Sequence, residues 1–390
     1  VLRPAILWND QRTERQCRGI TQKAGGPQAL LALTNNPMLP GYTGGKIVWM
    51  REEEPELFDQ MTTVLNPKDY LRYRLTGELA TEVSDASGTG LFDVRERHWS
   101  CELLDRIGLD PSILPRCHES HEVSGRVSGA GAAEFALAAG TPVVGGGGDA
   151  VIQTTGTGVT RPGPVQATIG TAGIVAAALN NAVNNAGGNL QVFCNTASDR
   201  WHCMGVSQNA GGALRWLANL VATADTDFET LTRNAGTVAP GAEGLLFLPY
   251  LTGERCPHSD PRARGAFIGL TLRHGECELV RSVMEGVVFS LRDIFDTMSQ
   301  AGVPADEVRI SGGGAASAVC PIRPCCRASN RRWPAPCARR WRLFPKRHPQ
   351  RTGDVSAWSR PASAAMEQPC SASTKPSPRT ARCFAGATTW

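Results

Sequence analysis

The residues best suited to chemistry lie in one short motif in the middle of the chain. Val143-Val144 is an apolar strand that runs into four glycines, 145–148, and then into the carboxylate of Asp149. Glycine lets the backbone approach a ligand closely, and a carboxylate at the end of a strand can accept a proton. Two more glycine turns follow, around Gly170-Thr171 and around 312–314. Since such turns present backbone N–H groups to phosphates, three turns and one acid indicate phosphoryl transfer.

The same residues also have simpler interpretations. Asp149 precedes an apolar helical segment, 150–153, and aspartate is a favoured N-cap, so the residue is interpreted either as a base or as a cap. Gly170-Thr171 fits an ordinary tight hairpin as well as a phosphate turn.

The elements that must position these residues alternate between helix and strand. Helical periodicity marks four segments: 46–50, 69–75, 208–221 and 276–300. The second of these helices is expected to stop at Gly77. We predict a strand, a turn and a strand over 165–178, and a helix that closes over 134–142 and leads into Val143-Val144. This alternation predicts an α/β protein.

Length and composition restrict the class of protein. The chain has 390 residues, 41% of them hydrophobic and 19% charged, which is typical of a soluble globular protein large enough for two domains. No apolar stretch approaches the roughly 18 residues of a membrane helix, and the first residues lack the basic and apolar regions of a secretory signal. We therefore expect a cytoplasmic protein with no membrane partner.

The last part of the chain differs abruptly from the rest. Residues 319–390 contain 14 Lys and Arg but two acidic residues, and subtracting these from the totals of 40 and 36 leaves 26 basic and 34 acidic residues in 1–318. Ten of the 26 prolines also fall in this tail. Such a composition cannot bury a regular apolar face, so we expect disorder, and a shifted reading frame in a GC-rich gene would produce it. We expect no nucleic-acid partner for its basic stretch 339–348, and its cysteines lack the spacing of a zinc site.

Three blocks of sequence resemble a known family. They are Gly41-Tyr42-Thr43-Gly44-Gly45-Lys46-Ile47-Val48-Trp49-Met50-Arg51-Glu52-Glu53, 244–258 and 265–285. With the opening Trp8-Asn9-Asp10-Gln11-Arg12, they resemble the FGGY carbohydrate kinases, and among these the xylulokinases, over most of 1–318. The resemblance implies an α/β, two-domain actin-like ATPase (ribonuclease H-like) fold. It also implies an N-terminally truncated chain, because family members begin with a strand-turn-strand that carries Asp-x-Gly-Thr.

The resemblance divides the chain into three parts. Residues 1–153 correspond to a partial sugar-binding domain, 154–318 to an incomplete nucleotide-binding domain, and 319–390 to a tail without family character.

The resemblance also implies roles for individual residues. Asp149 matches the catalytic aspartate, which takes the proton of the sugar hydroxyl as that hydroxyl attacks the γ-phosphate of ATP. The nucleotide-binding residues that it implies are Gly170, Thr171, Gly211, Gly313 and Gly314. The first two match a turn at the β- and γ-phosphates, and the last two match the adenosine side. For Gly211, at a helix start, packing of small residues is the alternative.

Polar residues near the start of the chain are the implied sugar contacts. Asn9, Asp10 and Arg12 lie where the family has polar residues near the sugar cleft, with a structural ion pair as the alternative. Trp8 and Trp49 are interpreted as core residues.

The implied function is ATP-dependent phosphorylation of D-xylulose at its terminal hydroxyl, with Mg²⁺ bridging the phosphates and no metal held by protein residues alone. The alternatives are a kinase for L-ribulose, gluconate or glycerol, and a catalytically impaired remnant of such a kinase. A homodimer is common among relatives.

Overall fold

The computed structural model describes residues 1–221, 227–316, 341–343 and 383–385. The helices of the first 156 residues are α1 (Glu14–Lys23), α2 (Pro27–Thr34), α3 (Thr43–Glu53), α4 (Pro55–Phe58), α5 (Pro67–Thr76), α6 (Val83–Ser87), α7 (Cys101–Ile107), α8 (Gly129–Phe135) and α9 (Asp149–Gly156). The strands of the same part are β1 (Thr63–Leu65), β2 (Ala80–Glu82), β3 (Phe92–Asp93), β4 (His98–Trp99), β5 (Arg116–His118), β6 (Val123–Arg126) and β7 (Pro142–Val144).

The later part of the chain is built around longer strands. Its strands are β8 (Gly163–Ile169), β9 (Gly173–Leu179), β10 (Gln191–Cys194), β11 (Trp201–Ser207), β12 (Leu246–Leu248), β13 (Ala266–Ile268), β14 (Ala305–Ser311), β15 (Trp341–Leu343) and β16 (Cys383–Ala385). Its helices are α10 (Gly211–Val221), α11 (Phe228–Ala235) and α12 (Glu276–Gln300).

Most of these strands form one mixed sheet with the order β10-β11-β9-β8-β14-β15. Strands β8, β9, β11 and β10 pair antiparallel as neighbours, whereas β14 pairs parallel with β8. An antiparallel meander continued by a parallel strand is the arrangement that a ribonuclease H-like fold requires. The α/β prediction is therefore confirmed.

The two faces of this sheet belong to different cores. On β9, Val175 and Ala177 lie in the same core as Val283 of α12. The alternate residues Ile174 and Ala176 lie in a second core with residues of the first 156 positions. Because successive side chains of a strand point to opposite faces, one sheet serves as the wall between the two halves of the molecule.

Most predicted elements are found where the sequence places them. The predicted helices correspond to α3, α5, α10 and α12, and the predicted strand-turn-strand corresponds to β8 and β9. Gly77 ends α5 in the left-handed conformation, with φ 81°.

The helix predicted over 134–142 is wrong in its extent. Helix α8 already ends at Phe135, and Ala136 turns left-handed, with φ 53°. The reason is a long-range pairing. The Val127 N–H donates to the Thr141 carbonyl at 2.9 Å, and the Gly140 N–H donates back to the Val127 carbonyl at 2.8 Å, so the chain must reverse before β7 can pair with β6.

Within the tail, 319–390, the structure describes two short strands. Strand β15 pairs parallel with β14, and β16 pairs parallel with β1. The disorder predicted for the rest of 319–390 lies outside the described residues. Among the helices that are described, none is both long and apolar enough to cross a membrane.

Candidate active site

Asp149 lines a cavity between the two halves of the molecule, here called the Asp149 cavity. Its volume is about 380 Å³. Trp8, Tyr42 and Asp85 line it from the first half, and Ile174, Phe193 and Met204 from the central sheet. The sheet face opposite α12 therefore forms one wall of the cavity.

A second cavity brings together the residues predicted to bind the nucleotide. It has a volume of about 420 Å³ and is here called the Gly170 cavity. Its lining includes all five predicted residues: Gly170, Thr171, Gly211, Gly313 and Gly314. Apolar side chains, among them Phe228 and Val287, complete the lining. Thr171 lines both cavities, so the two spaces meet at this residue.

The close approach of two backbone segments explains one of the glycines. The Gly211 N–H donates to the Gly170 carbonyl at 2.8 Å, and the Gly212 N–H donates to the Thr171 carbonyl at 3.1 Å. A Cβ atom on Gly211 would lie 2.6 Å from the Gly170 oxygen, so a side chain would force the turn and helix α10 apart. The first N–H groups of α10 are used in this contact, so the glycines at its start serve the close approach of the helix to the turn.

Parallel strand pairing brings the glycine turn at 312–314 next to the turn at Gly170. Strands β8 and β14 run in the same direction, and Thr168 pairs with Ser311 at their carboxyl ends. The two hydroxyl oxygens are 2.8 Å apart. The Gly313–Ala316 turn therefore begins next to the turn at Gly170.

Asp149 is the first residue of α9, and Gly148 occupies the N-cap position. The interpretation of Asp149 as the N-cap is therefore wrong by one residue, although its carboxylate accepts from the Ala150 N–H at 2.7 Å. The side chain lies in the first turn, where the helix dipole favours a negative charge. Asp149 is exposed toward the cavity rather than buried in the protein.

Helix α9 is fixed to the later half of the molecule. The Thr154 hydroxyl lies 3.0 Å from His202 Nε2 on β11, and the Thr155 and Thr196 hydroxyl oxygens are 3.0 Å apart. Burial lowers the pKa of His202 to about 4, so the ring is neutral near pH 7. These contacts hold the helix that presents Asp149 against the sheet that forms the cavity wall.

The glycine turn before Asp149 is held by the first half of the molecule. The Gly148 N–H donates to Ser84 Oγ at 2.9 Å, and the Gly146 N–H donates to the Ser120 carbonyl at 2.9 Å. Gly146 has a φ of 87°, which glycine adopts without strain. Lys68 Nζ donates to the Gly145 carbonyl at 3.3 Å.

Lys68 also joins three buried carboxylates behind the turn. Its Nζ lies 2.5 Å from Asp69 Oδ1, 3.6 Å from Glu82 Oε1 and 3.6 Å from Asp85 Oδ2. Burial lowers the pKa of Lys68, but these carboxylates together raise it above its ordinary value. Burial raises the pKa of Asp85 to about 7; Lys68 acts in the opposite direction, and the nearby carboxylates of Asp69 and Glu82 raise the pKa further.

The prediction from sequence missed this cluster. Asp85 lines the Asp149 cavity and lies beside Gly148, where an added Cβ would come within 3.7 Å of it. Glu82 caps α6 by accepting from the Ser84 and Asp85 N–H groups. The sequence signal was available as a run of polar residues, 81–85, at the start of a short helix. Nothing in that run indicates that it lies beneath Asp149.

The structure does not bring Asn9, Asp10 and Arg12 to the wall of the Asp149 cavity. Asp10 and Arg12 instead form an ion pair with each other at 2.8 Å, and the Arg12 guanidinium lies 5.1 Å from the centre of the Trp49 ring. This is the structural alternative considered for them. Their neighbour Trp8, interpreted as a core residue, lines the cavity instead.

Two family models match successive parts of the chain. The model of the FGGY family of carbohydrate kinases, N-terminal domain, matches residues 1–156, and that of the C-terminal domain matches residues 165–321. Xylulose kinase of Escherichia coli (strain K12) is 39% identical over 317 residues, which are 81% of this chain and 64% of the relative. Gluconokinase of Bacillus subtilis (strain 168) is 30% identical, over 82% of this chain and 64% of the relative.

Solved structures agree with this assignment. A crystal structure of a xyloylose kinase from Brucella ovis matches with a TM-score of 0.76 and 36% identity, over 81% of this chain and 64% of that one. The chain thus spans about 64% of the length of these relatives. The two-domain actin-like fold is confirmed. Because the two domain models together match most of the chain, the protein belongs to the FGGY family of carbohydrate kinases.

Proposed function

We propose that the protein transfers the γ-phosphoryl group of ATP to the terminal hydroxyl of D-xylulose, giving D-xylulose 5-phosphate. The observation that carries the proposal is that Thr171 lines both cavities, the one that holds the Asp149 carboxylate and the one lined by the glycine turns. Two substrates bound on either side of Thr171 would have their reacting groups next to each other. The similarity to xylulose kinases supports D-xylulose as the acceptor.

In this mechanism, Asp149 is the general base. Its carboxylate accepts the proton of the sugar hydroxyl while the hydroxyl oxygen forms a bond to the γ-phosphorus. The bond between that phosphorus and the β,γ-bridging oxygen breaks, and its electron pair leaves with ADP. Asp149 suits this role because its carboxylate is exposed toward the cavity, and the turn before it and the helix after it are held by opposite halves of the molecule.

The glycine turns hold the nucleotide in this proposal. The turn at Gly170-Thr171 would face the phosphates, with the Thr171 hydroxyl as a donor, and Gly313-Gly314 would lie against the adenosine. Asn9, Asp10 and Arg12 would support the segment that places Trp8 rather than contact the sugar.

The donor set suits a magnesium ion held mainly by the nucleotide. The described residues contain no group of three or more His, Cys, Asp or Glu side chains that could hold a metal ion. Mg²⁺ usually keeps several waters and binds through one or two carboxylates together with substrate phosphates, and Asp149 and Asp85 are the carboxylates that face this space. When bound, Mg²⁺ neutralises charge on the phosphates.

The direct test is formation of ADP from ATP in the presence and absence of D-xylulose. Asp149→Ala is expected to lower the sugar-dependent rate by about 10²- to 10⁴-fold, because the base is lost. Asp59→Asn, at an exposed carboxylate outside both cavities, is the matched control and should retain the rate. Equal rates for the native chain and Asp149→Ala would favour the alternative of a catalytically impaired remnant.

A second acceptor deserves the same assay because one relative is a gluconokinase at 30% identity. A panel of D-xylulose, L-ribulose, gluconate and glycerol at equal concentration should give the highest kcat/KM with D-xylulose. A higher value with gluconate would keep the kinase and replace its substrate.

A further inference from the structure

We propose that Arg255 and Tyr42 form a recognition pair that binds the non-reacting oxygens of a neutral polyhydroxy ketone in the Asp149 cavity. This inference rests on the proposed function and names two residues that decide the acceptor. Both residues line the cavity together with Asp149, and they come from opposite halves of the molecule.

The first observation is an arginine without an acceptor. Among the described residues, no carboxylate or carbonyl oxygen accepts a hydrogen bond from the Arg255 guanidinium, which lies 6.0 Å from the centre of the Trp8 ring. Burial lowers the pKa of Arg255, which means that the charged group has lost much of its water. A guanidinium that lines the cavity and donates to no protein oxygen has its donors available for the oxygens of a ligand.

The second observation is a phenol without a partner. Tyr42 is 7% exposed, and its hydroxyl is buried with no hydrogen-bond partner in the described part of the chain. Burial raises the pKa of Tyr42, and the positive charge of Arg255 acts in the opposite direction, which places the two groups in one electrostatic environment. A buried hydroxyl usually finds a partner, so the missing one is expected in the ligand.

The position of Arg255 is built into the fold. Glu254 is 2% exposed, and its carboxylate accepts from Ser207 Oγ at 2.7 Å, from the Gln208 N–H at 2.9 Å and from the Arg255 N–H at 2.7 Å. Since Ser207 ends β11, this carboxylate ties the Arg255 segment to the sheet that forms the cavity wall. Gln208, fixed by the same carboxylate, also lines the cavity.

The charges in the cavity favour a neutral acceptor over an acid. Asp149, Asp85 and Arg255 all line it, so two carboxyl groups and one guanidinium share the wall of this cavity. A ligand with its own carboxylate would add a third carboxyl group to the same small space. Arginine is a donor with no acceptor atoms, so it suits carbonyl and hydroxyl oxygens of a ketose that do not lose a proton in the reaction.

The test is calorimetric titration of the full chain with D-xylulose, which requires no turnover. Arg255→Met is expected to weaken binding by about 10-fold or more, and Tyr42→Phe by about 3- to 10-fold, as for lost hydrogen bonds to charged and neutral partners. Arg255→Lys should bind D-xylulose more weakly than the native chain does, because an ammonium group lacks the planar set of donors of a guanidinium. Binding of ADP should change less than 2-fold in every variant.

Arg74→Met is the matched control. Arg74 also lies over an aromatic ring, at 5.9 Å from Tyr70, but it is exposed on α5 and outside both cavities. It should bind D-xylulose like the native chain. Thermal unfolding shows whether Arg255→Met folds. If it does not, the titrations of Arg255→Lys and Tyr42→Phe with D-xylulose test the inference.

Three results would overturn the inference. The first is native affinity for D-xylulose in Arg255→Lys and Tyr42→Phe. The second is no binding of D-xylulose to the native chain. The third is tighter binding of gluconate than of D-xylulose to the native chain, lost in the Arg255 variants, which would assign the arginine to a carboxylate. A chain that binds D-xylulose through Arg255 but forms no ADP would reject the proposed kinase activity and leave this inference standing.

Discussion

At the scale of single residues, the Lys68 side chain holds the glycine turn that precedes Asp149. Lys68 contacts Asp69, Glu82 and Asp85 and also donates to the backbone of the turn at Gly145. Removing one partner from a buried group of charges costs more than the pair itself contributes, because the remaining charges lose their compensation. Lys68 is therefore the residue on which the integrity of the turn depends most.

Lys68→Met is expected to destabilise the protein by about 3 kcal/mol, and by more at pH 8 than at pH 5. The sign follows from Asp85, whose pKa is raised from 3.8 to about 7 in the folded protein. The folded state holds this proton more tightly than the unfolded chain does, so the free energy of unfolding falls as pH rises through 7. Without Lys68, the free energy of unfolding should fall more steeply over the same pH range. Urea unfolding at the two pH values measures the effect.

The control for this substitution is Lys23→Met, at an exposed lysine on α1. Lys23→Met should change the free energy of unfolding little at either pH. An equal loss of stability at pH 5 and pH 8 in Lys68→Met would contradict the assignment of the charge cluster.

At the scale of secondary-structure elements, α9 and α10 carry the backbone of the two proposed sites. Helix α9 begins with Asp149 and is tied to β11 through Thr154 and His202. Helix α10 begins with Gly211 against the Gly170 turn. Each element can be tested through the residue that fixes it.

His202→Gln should flatten the acid side of the stability profile. The pKa of His202 is lowered from 6.5 to about 4 in the folded protein, so the unfolded chain binds the proton more tightly. The native protein should therefore lose about 3 kcal/mol as pH falls from 6.5 toward 4, and the variant should lose less. Unfolding midpoints across this range measure it, with the exposed His121→Gln as control. Parallel profiles for the native protein and His202→Gln would count against the role of His202.

Gly211→Ala should reduce nucleotide binding without unfolding the protein. The new Cβ would meet the Gly170 carbonyl oxygen at 2.6 Å, so the turn and the helix must separate. We expect the rise in thermal midpoint caused by saturating ADP to shrink, since stabilisation by a ligand follows its affinity. Gly19→Ala on α1, where nothing lies within 4 Å, is the control and should keep the full rise. An undiminished rise in Gly211→Ala would show that this contact is not needed.

At the scale of the whole molecule, the Asp149 cavity exists because two halves meet across one sheet. Ile174 and Met204 face it from the sheet, whereas Tyr42 and Asp85 face it from the first half. Thr171 then joins it to the Gly170 cavity. Ligands in the two spaces should therefore affect one another, because both contact the same wall and both favour approach of the halves.

We expect a non-hydrolysable ATP analogue to raise the affinity for D-xylulose by about 5-fold or more, and D-xylulose to raise the affinity for the analogue by the same factor. Calorimetric titration of each ligand in the presence and absence of the other measures both factors. Independent binding would mean that the halves do not respond to their ligands together.

The sequence by itself determined the local elements and the family. Helical periodicity located α3, α5, α10 and α12, because periodicity depends on near neighbours in the chain. The resemblance to the family supplied the five predicted nucleotide-binding residues, which all line the Gly170 cavity. Asp149 was identified from a strand that ends in glycines.

Only the tertiary structure decided which side chains share a cavity. Tyr42, Asp85, Asp149 and Arg255 are far apart in sequence, and no local pattern indicates that they converge. The same reason explains why Asp10 and Arg12 pair with each other while Trp8 lines the cavity. Contacts between distant segments depend on how the two halves pack on the sheet, which is a property of the folded chain as a whole.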